Sequence, residues 1–101
     1  MKHIESRSNP FFKQLYKWQS SAGRRGEPVI LDGIHLCESW LGVGRPPQYA
    51  IFDIDRVQEP QLQALIEKLA PELCLTMSGT LLGGLSSFNT NQGVLFIVQP
   101  K

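Results

Sequence analysis

The sequence is poor in the residues that carry most enzyme chemistry. Its 101 residues include two histidines, His3 and His35, and two cysteines, Cys37 and Cys74. The cysteines stand alone, without a CxxC pair, and read as reduced core thiols of a cytoplasmic protein rather than a disulfide framework. His35 and Cys37 are two apart, which on a helix turns them to different sides, so no metal pair is expected there. Neither HExxH nor a phosphate-binding GxxxxGK occurs. Gly42-Val43-Gly44 and Gly83-Gly84 are turn or packing glycines, because neither follows a strand and opens a helix as a dinucleotide loop requires. Serines are present, but none has a recognisable base beside it. No apolar run approaches the roughly 20 residues of a membrane span, and the N-terminus lacks the apolar segment of a signal peptide. Catalytic groups, a cofactor site, a metal site and a membrane partner are therefore all not expected in this chain. The composition points to a binding module.

What is present is the material of one globular domain over residues 1–101. Apolar residues make up 42% and charged residues 19%, proportions that suit a packed core and exclude a disordered chain. The periodicities alternate. Asn9 and Pro10 open a helix carrying Phe11, Leu15 and Trp18, with Phe12 and Tyr16 beside that stripe. Val29-Ile30-Leu31 reads as a buried strand, and Asp32 is expected to cap a helix bearing Ile34, Leu36, Cys37, Trp40 and Leu41. A second strand covers 48–53. Pro60 starts a helix with Leu62, Leu65, Ile66 and Leu69 at three- and four-residue steps. Leu73, Leu75 and Met77 alternate as a third strand, and Ser78 caps a short helix with Leu81, Leu82 and Leu85. Val94 to Val98 is apolar throughout, as in a strand covered on both faces. Strands alternating with helices predict a three-layer α/β/α sandwich around a mainly parallel four-stranded sheet.

Charge is distributed unevenly. Residues 1–28 hold six basic side chains (Lys2, Arg7, Lys13, Lys17, Arg24, Arg25) against two acidic ones, a balance of +4. Residues 29–101 hold four basic against seven acidic, a balance of −3. Polarisation of this kind concerns partners rather than fold, and a phosphate backbone is the commonest partner for a cationic patch. Lys13 and Lys17, four apart, share one side of the first helix. Arg24 and Arg25 lie on a loop rich in small residues.

Two further stretches carry polar groups at strand ends. Leu31-Asp32-Gly33-Ile34-His35 is a strand-to-helix turn, whose helix N-terminus offers amides to an anion. Thr90-Asn91-Gln92-Gly93 precedes the last strand. Asp53 and Asp55 could in principle hold a cation, but capping and loop solubility explain them better.

Taken together these pieces resemble the N-terminal substrate-binding domain of the SpoU/TrmH-type RNA 2′-O-ribose methyltransferases. Ile4-Glu5-Ser6-Arg7-Ser8-Asn9-Pro10 with Lys13, Leu15 and Lys17 is similar to that family's opening segment, and Gly23-Arg24-Arg25 to its basic loop. Leu31 to Glu38 resembles its hydrophobic-Glu-Gly turn, with Asp32 where Glu is more usual, and Asn89 to Val94 resembles its closing turn. The resemblance implies a fold like that of ribosomal proteins that bind kink-turn RNA. It also implies recognition of structured ribosomal or transfer RNA on behalf of a following knotted catalytic domain that uses S-adenosylmethionine and through which the intact enzyme could form a homodimer. That domain is absent here, so the chain reads as a fragment. The residues assigned to RNA are Arg7, Asn9, Lys13, Lys17, Arg24, Arg25, Gly33 and His35. The competing expectation is a protein–protein or dimerisation module using Phe11, Phe12, Tyr16 and Trp18.

Overall fold

Asn9 and Pro10 start the first long helix as the sequence requires. In the computed structural model, which describes residues 2–21, 26–85 and 92–99, the Asn9 Oδ1 accepts hydrogen bonds from the amides of Phe11 (2.7 Å) and Phe12 (3.3 Å). Two donors that the helix leaves orphaned are thereby satisfied. The elements run β1 (Lys2–Ile4), α1 (Pro10–Ser21), β2 (Val29–Asp32), α2 (Ile34–Gly42), β3 (Tyr49–Asp53), α3 (Pro60–Glu67), a single 3-10 turn (Pro71–Leu73), β4 (Cys74–Met77), α4 (Gly79–Leu85) and β5 (Val94–Val98).

The five strands form one sheet in the order β1-β4-β3-β5-β2. β1, β4 and β3 are mutually parallel, whereas β5 runs antiparallel to both β3 and β2. The α/β/α sandwich stands, and β1, β2, β3 and β4 all run the same way, β5 alone being reversed; the sheet differs from expectation in having five strands rather than four. β1 escapes the sequence pattern because it is three residues long with one buried side chain, Ile4. The direction of β5 escapes it because alternation of helix and strand does not specify direction.

Both faces of the sheet are covered. Along β5, Val94, Phe96 and Val98 point into a core with Ile34 and Cys37 of α2 and Leu62 and Leu65 of α3. Leu95 and Ile97 point the other way, against Phe12 and Leu15 of α1 and Leu81, Leu82 and Leu85 of α4. Each of the five β5 residues is buried, because β5 lies inside the sheet between β3 and β2 as well as between helical layers. Ser78 caps α4 as expected, its Oγ accepting from the Leu81 amide at 3.2 Å. Asp32 does not cap α2: it is the last residue of β2 and is buried, and Gly33 occupies the N-cap position.

Cys37 and Cys74 are free and buried, and burial has a consequence for pH. Desolvation, assisted by the nearby Asp32 carboxylate, pushes the Cys37 thiol from 9.0 up to about 12; desolvation also raises that of Cys74. Below pH 9 the Cys37 thiol is protonated in both folded and unfolded chains. Between pH 9 and 12 only the unfolded chain ionises readily, so the stability present below pH 9 is lost as pH rises, by at most about 1.4 kcal/mol per pH unit. Urea unfolding midpoints measured from pH 8.5 to 11 are expected to fall more steeply for the natural chain than for Cys37→Ala. A thiol reagent at pH 8 is expected to label Cys37 only after unfolding.

Candidate nucleic-acid interface

The strand registers place Ile4, Met77 and Asp53 side by side, and likewise Phe52 with Val94 and Leu95 with Asp32. The C-terminal ends of β1 to β4 and the N-terminal end of β5 therefore share one rim of the sheet. Ligands of open α/β sheets approach such carboxyl ends. The β1–α1 turn with Arg7, the β2–α2 turn with Gly33, and Gln92 before β5 all open onto this rim.

On the α1 side, Phe12 and Leu15 face the sheet and are buried, while Phe11 packs edge-to-face on Tyr49 with centroids 4.8 Å apart and Trp18 packs against the same core. At about 100° per residue, that orientation turns Lys13 and Lys17 outward, and both are exposed. Arg7 reaches over α4, where a Cβ built on Gly84 would lie 4.0 Å from its Nη2. Between α1 and α4 lies an open cavity of about 550 Å³ lined by Arg7, Phe12, Lys13, Tyr16 and Gly84. Among the described residues none of Arg7, Lys13 and Lys17 is in an ion pair, and α1 contains no acidic residue. The structure thus brings Arg7 and Lys13 to one cavity, with Lys17 one turn further along α1. Asn9 stands at the head of that helix and is engaged as its cap. Arg24 and Arg25 lie outside the described residues.

Gly33 and His35 belong to a different layer. They sit where β2 turns into α2, and α2 packs on the face of the sheet opposite α1. Gly33 has φ 120°, and its amide donates to the Val94 carbonyl at 3.4 Å. The Ile34 amide donates to Gln92 Oε1 at 2.7 Å. Those two amides, which the sequence offers to an anion, are occupied from within the protein. Gln92 therefore has a structural role as the cap of α2, joining two segments 58 residues apart; Thr90 and Asn91 lie outside the described residues. His35 projects into solvent with 96% of its side chain exposed, its Nδ1 3.9 Å from Glu38 Oε1. Asp53 forms a local turn, its Oδ1 accepting from the Asp55 amide at 2.9 Å. Among the described residues no cluster of three His, Cys, Asp or Glu side chains is arranged to hold a metal ion. No described helix is long and apolar enough to cross a membrane.

The aromatic face expected as an alternative docking surface is mostly consumed by the fold. Phe12 is buried and Phe11 and Trp18 are packed against the sheet, leaving Tyr16 as the one ring of that set in the open, at 54% exposure. Tyr16 is the residue that periodicity misplaced. It sits about 100° from Leu15, on the border between the buried stripe and the lysines, and Lys13 three residues before it and Lys17 after it were the available signal.

No family model and no curated protein sequence matches this chain. Solved structures do share its fold. An RNA 2′-O ribose methyltransferase superposes with a TM-score of 0.74 at 22% identity, over 94% of this chain and 36% of that one. An rRNA methyltransferase from Sinorhizobium meliloti gives 0.74 at 16% identity, over 97% and 37%. An AdoMet-bound rRNA methyltransferase from the same organism gives 0.70 at 15% identity, over 99% and 38%. The chain spans well under half the length of these structures, and it shares the fold of one part of each.

Proposed function

We propose that this chain is the RNA-recognition domain of an RNA 2′-O-ribose methyltransferase, holding structured ribosomal or transfer RNA for a separate catalytic domain that uses S-adenosylmethionine. The observation that carries the reading is the cluster of Arg7, Lys13 and Lys17, exposed and without acidic partners among the described residues, on a fold shared with part of such enzymes. Two cations at a cavity and a third one helical turn away suit a phosphate backbone, and a domain of this kind reads shape and ribose hydroxyls more than sequence. Arg24 and Arg25 extend the same cationic segment in sequence, and His35, solvent-exposed at the shared rim, is available to a base or ribose hydroxyl. Gly33 contributes through the turn it permits rather than through its amide.

We place S-adenosylmethionine in the separate catalytic domain. Two of the strand-to-helix turns are filled from within this chain: Gln92 occupies the start of α2, and the Asp53 carboxylate lies against Gly79 at the start of α4. The role of this domain is to bind and orient RNA.

Titration of the chain against transfer and ribosomal RNA between 50 and 200 mM salt tests the reading. Each phosphate contact adds about 0.7–0.9 to the slope of log affinity against log salt. The variant Arg7→Ala/Lys13→Ala/Lys17→Ala is therefore expected to bind more weakly, with a slope shallower by roughly two to three. RNA affinity indifferent to salt, or identical in the two proteins, would overturn the proposal.

A further inference from the structure

We infer that Tyr16 is a stacking platform for an unpaired RNA base, seated in the cavity between α1 and α4. This rests on the RNA-binding reading and adds to it the class of nucleotide recognised. Among the described residues the large apolar side chains left exposed are Tyr16, Leu36, Val43 and Ile54, and Tyr16 is the only aromatic one. Its neighbours on α1 are put to use inside: Phe12 and Leu15 in the core, Phe11 on Tyr49. Among the described residues Tyr16 makes no such contact. It lines the cavity of about 550 Å³ together with Arg7, Lys13, Phe12 and Gly84.

The chemistry of that lining selects an occupant. A tyrosine ring offers a flat apolar face, and every nucleobase has a π-face that can lie on it. Arg7 and Lys13 border the ring within the cavity, and Lys17 follows it on the helix, so a base on Tyr16 would have its flanking phosphates among cations. An acidic peptide would satisfy the charges but not the ring, and an apolar peptide the ring but not the charges. Gly84 forms part of the opposite wall with backbone alone, where a side chain would project toward Arg7, and this leaves the groove wide. A base paired within a duplex keeps its face covered by its neighbours, so the platform favours loops, bulges and ends. Stacking reads the presence of an exposed base rather than its hydrogen-bonding edge, and the site is accordingly tolerant of base identity.

The test uses the 101-residue chain, a short single-stranded RNA carrying 2-aminopurine, and a fully paired RNA duplex of equal charge. Loss of one base stack corresponds to roughly a tenfold weakening. Tyr16→Ala and Tyr16→Gln are expected to weaken the single strand by about that factor, to abolish quenching of the 2-aminopurine, and to leave duplex binding and the salt slope unchanged. Tyr16→Phe, which keeps the ring, is expected to bind as the natural chain does. Salt-dependent binding that persists with 2-aminopurine quenching undiminished in Tyr16→Ala would overturn the platform and leave the RNA-binding reading standing. Absence of salt-dependent RNA binding by the natural chain would overturn both.

Discussion

Phe96→Ala is expected to lower the stability of this domain by about 3–5 kcal/mol. The ring is fully buried at the centre of β5, between Ala50 of β3 and Leu31 of β2 in register. It forms part of the core beneath α2 and α3. Truncation removes apolar surface from burial and leaves a cavity that the surroundings cannot close, because a strand hydrogen-bonded on both sides cannot shift inward. A domain of this size has about 5–15 kcal/mol in total, so roughly a fifth or more of its stability is at stake. Each kcal/mol corresponds to about 4–8 °C in midpoint for a domain near this length, and a thermal melt is expected to move by about 12 °C or more. Leu36→Ala, at a half-exposed position on α2, is the comparison, and surface changes of this type stay within about 0.5 kcal/mol. Similar midpoints for the two variants would contradict the placement of β5 inside the sheet.

Gly33→Ala is expected to cost about 1–4 kcal/mol for two compounding reasons. At φ 120° and ψ 156° the backbone lies in a region that residues with a Cβ essentially do not adopt, which accounts for about 1–3 kcal/mol. In addition, the new Cβ would stand 3.2 Å from Gln92 Oε1. Relieving that contact takes a shift of the Gln92 side chain by a few tenths of an ångström, which lengthens its hydrogen bond to the Ile34 amide; outright loss of a cap costs about 1 kcal/mol. Gln92→Ala alone is therefore expected to cost about 1 kcal/mol, and the double variant less than the sum of the two singles. Strict additivity in chemical denaturation would show that the backbone conformation alone accounts for the effect.

Local structure was legible wherever a single segment carries its own instruction. Asn9 and Pro10 start α1, Pro60 starts α3, and Ser78 caps α4 because a cap needs only neighbours two or three residues away. The unbroken run Val94 to Val98 announced a strand covered on both faces. The polarity of α1 was equally plain, since helical periodicity alone sets Lys13 and Lys17 opposite Phe11 and Leu15.

The amino-acid sequence by itself thus determined the helices, four of the strands, the layered architecture and the cationic side of α1. Only the tertiary structure decided the rest. β1 pairs with the edge that β4 offers, and β5 runs against both of its neighbours. The Ile34 amide is satisfied by Gln92, far away in sequence, and no local pattern encodes that partner. Tyr16 is exposed and Arg7 lies over Gly84 because α1 and α4 pack side by side, which sets the groove between them. The physical reason is common to all four. Caps and periodicities are local and written within one turn or one strand, whereas strand direction, rim geometry and groove width depend on contacts between segments distant along the chain.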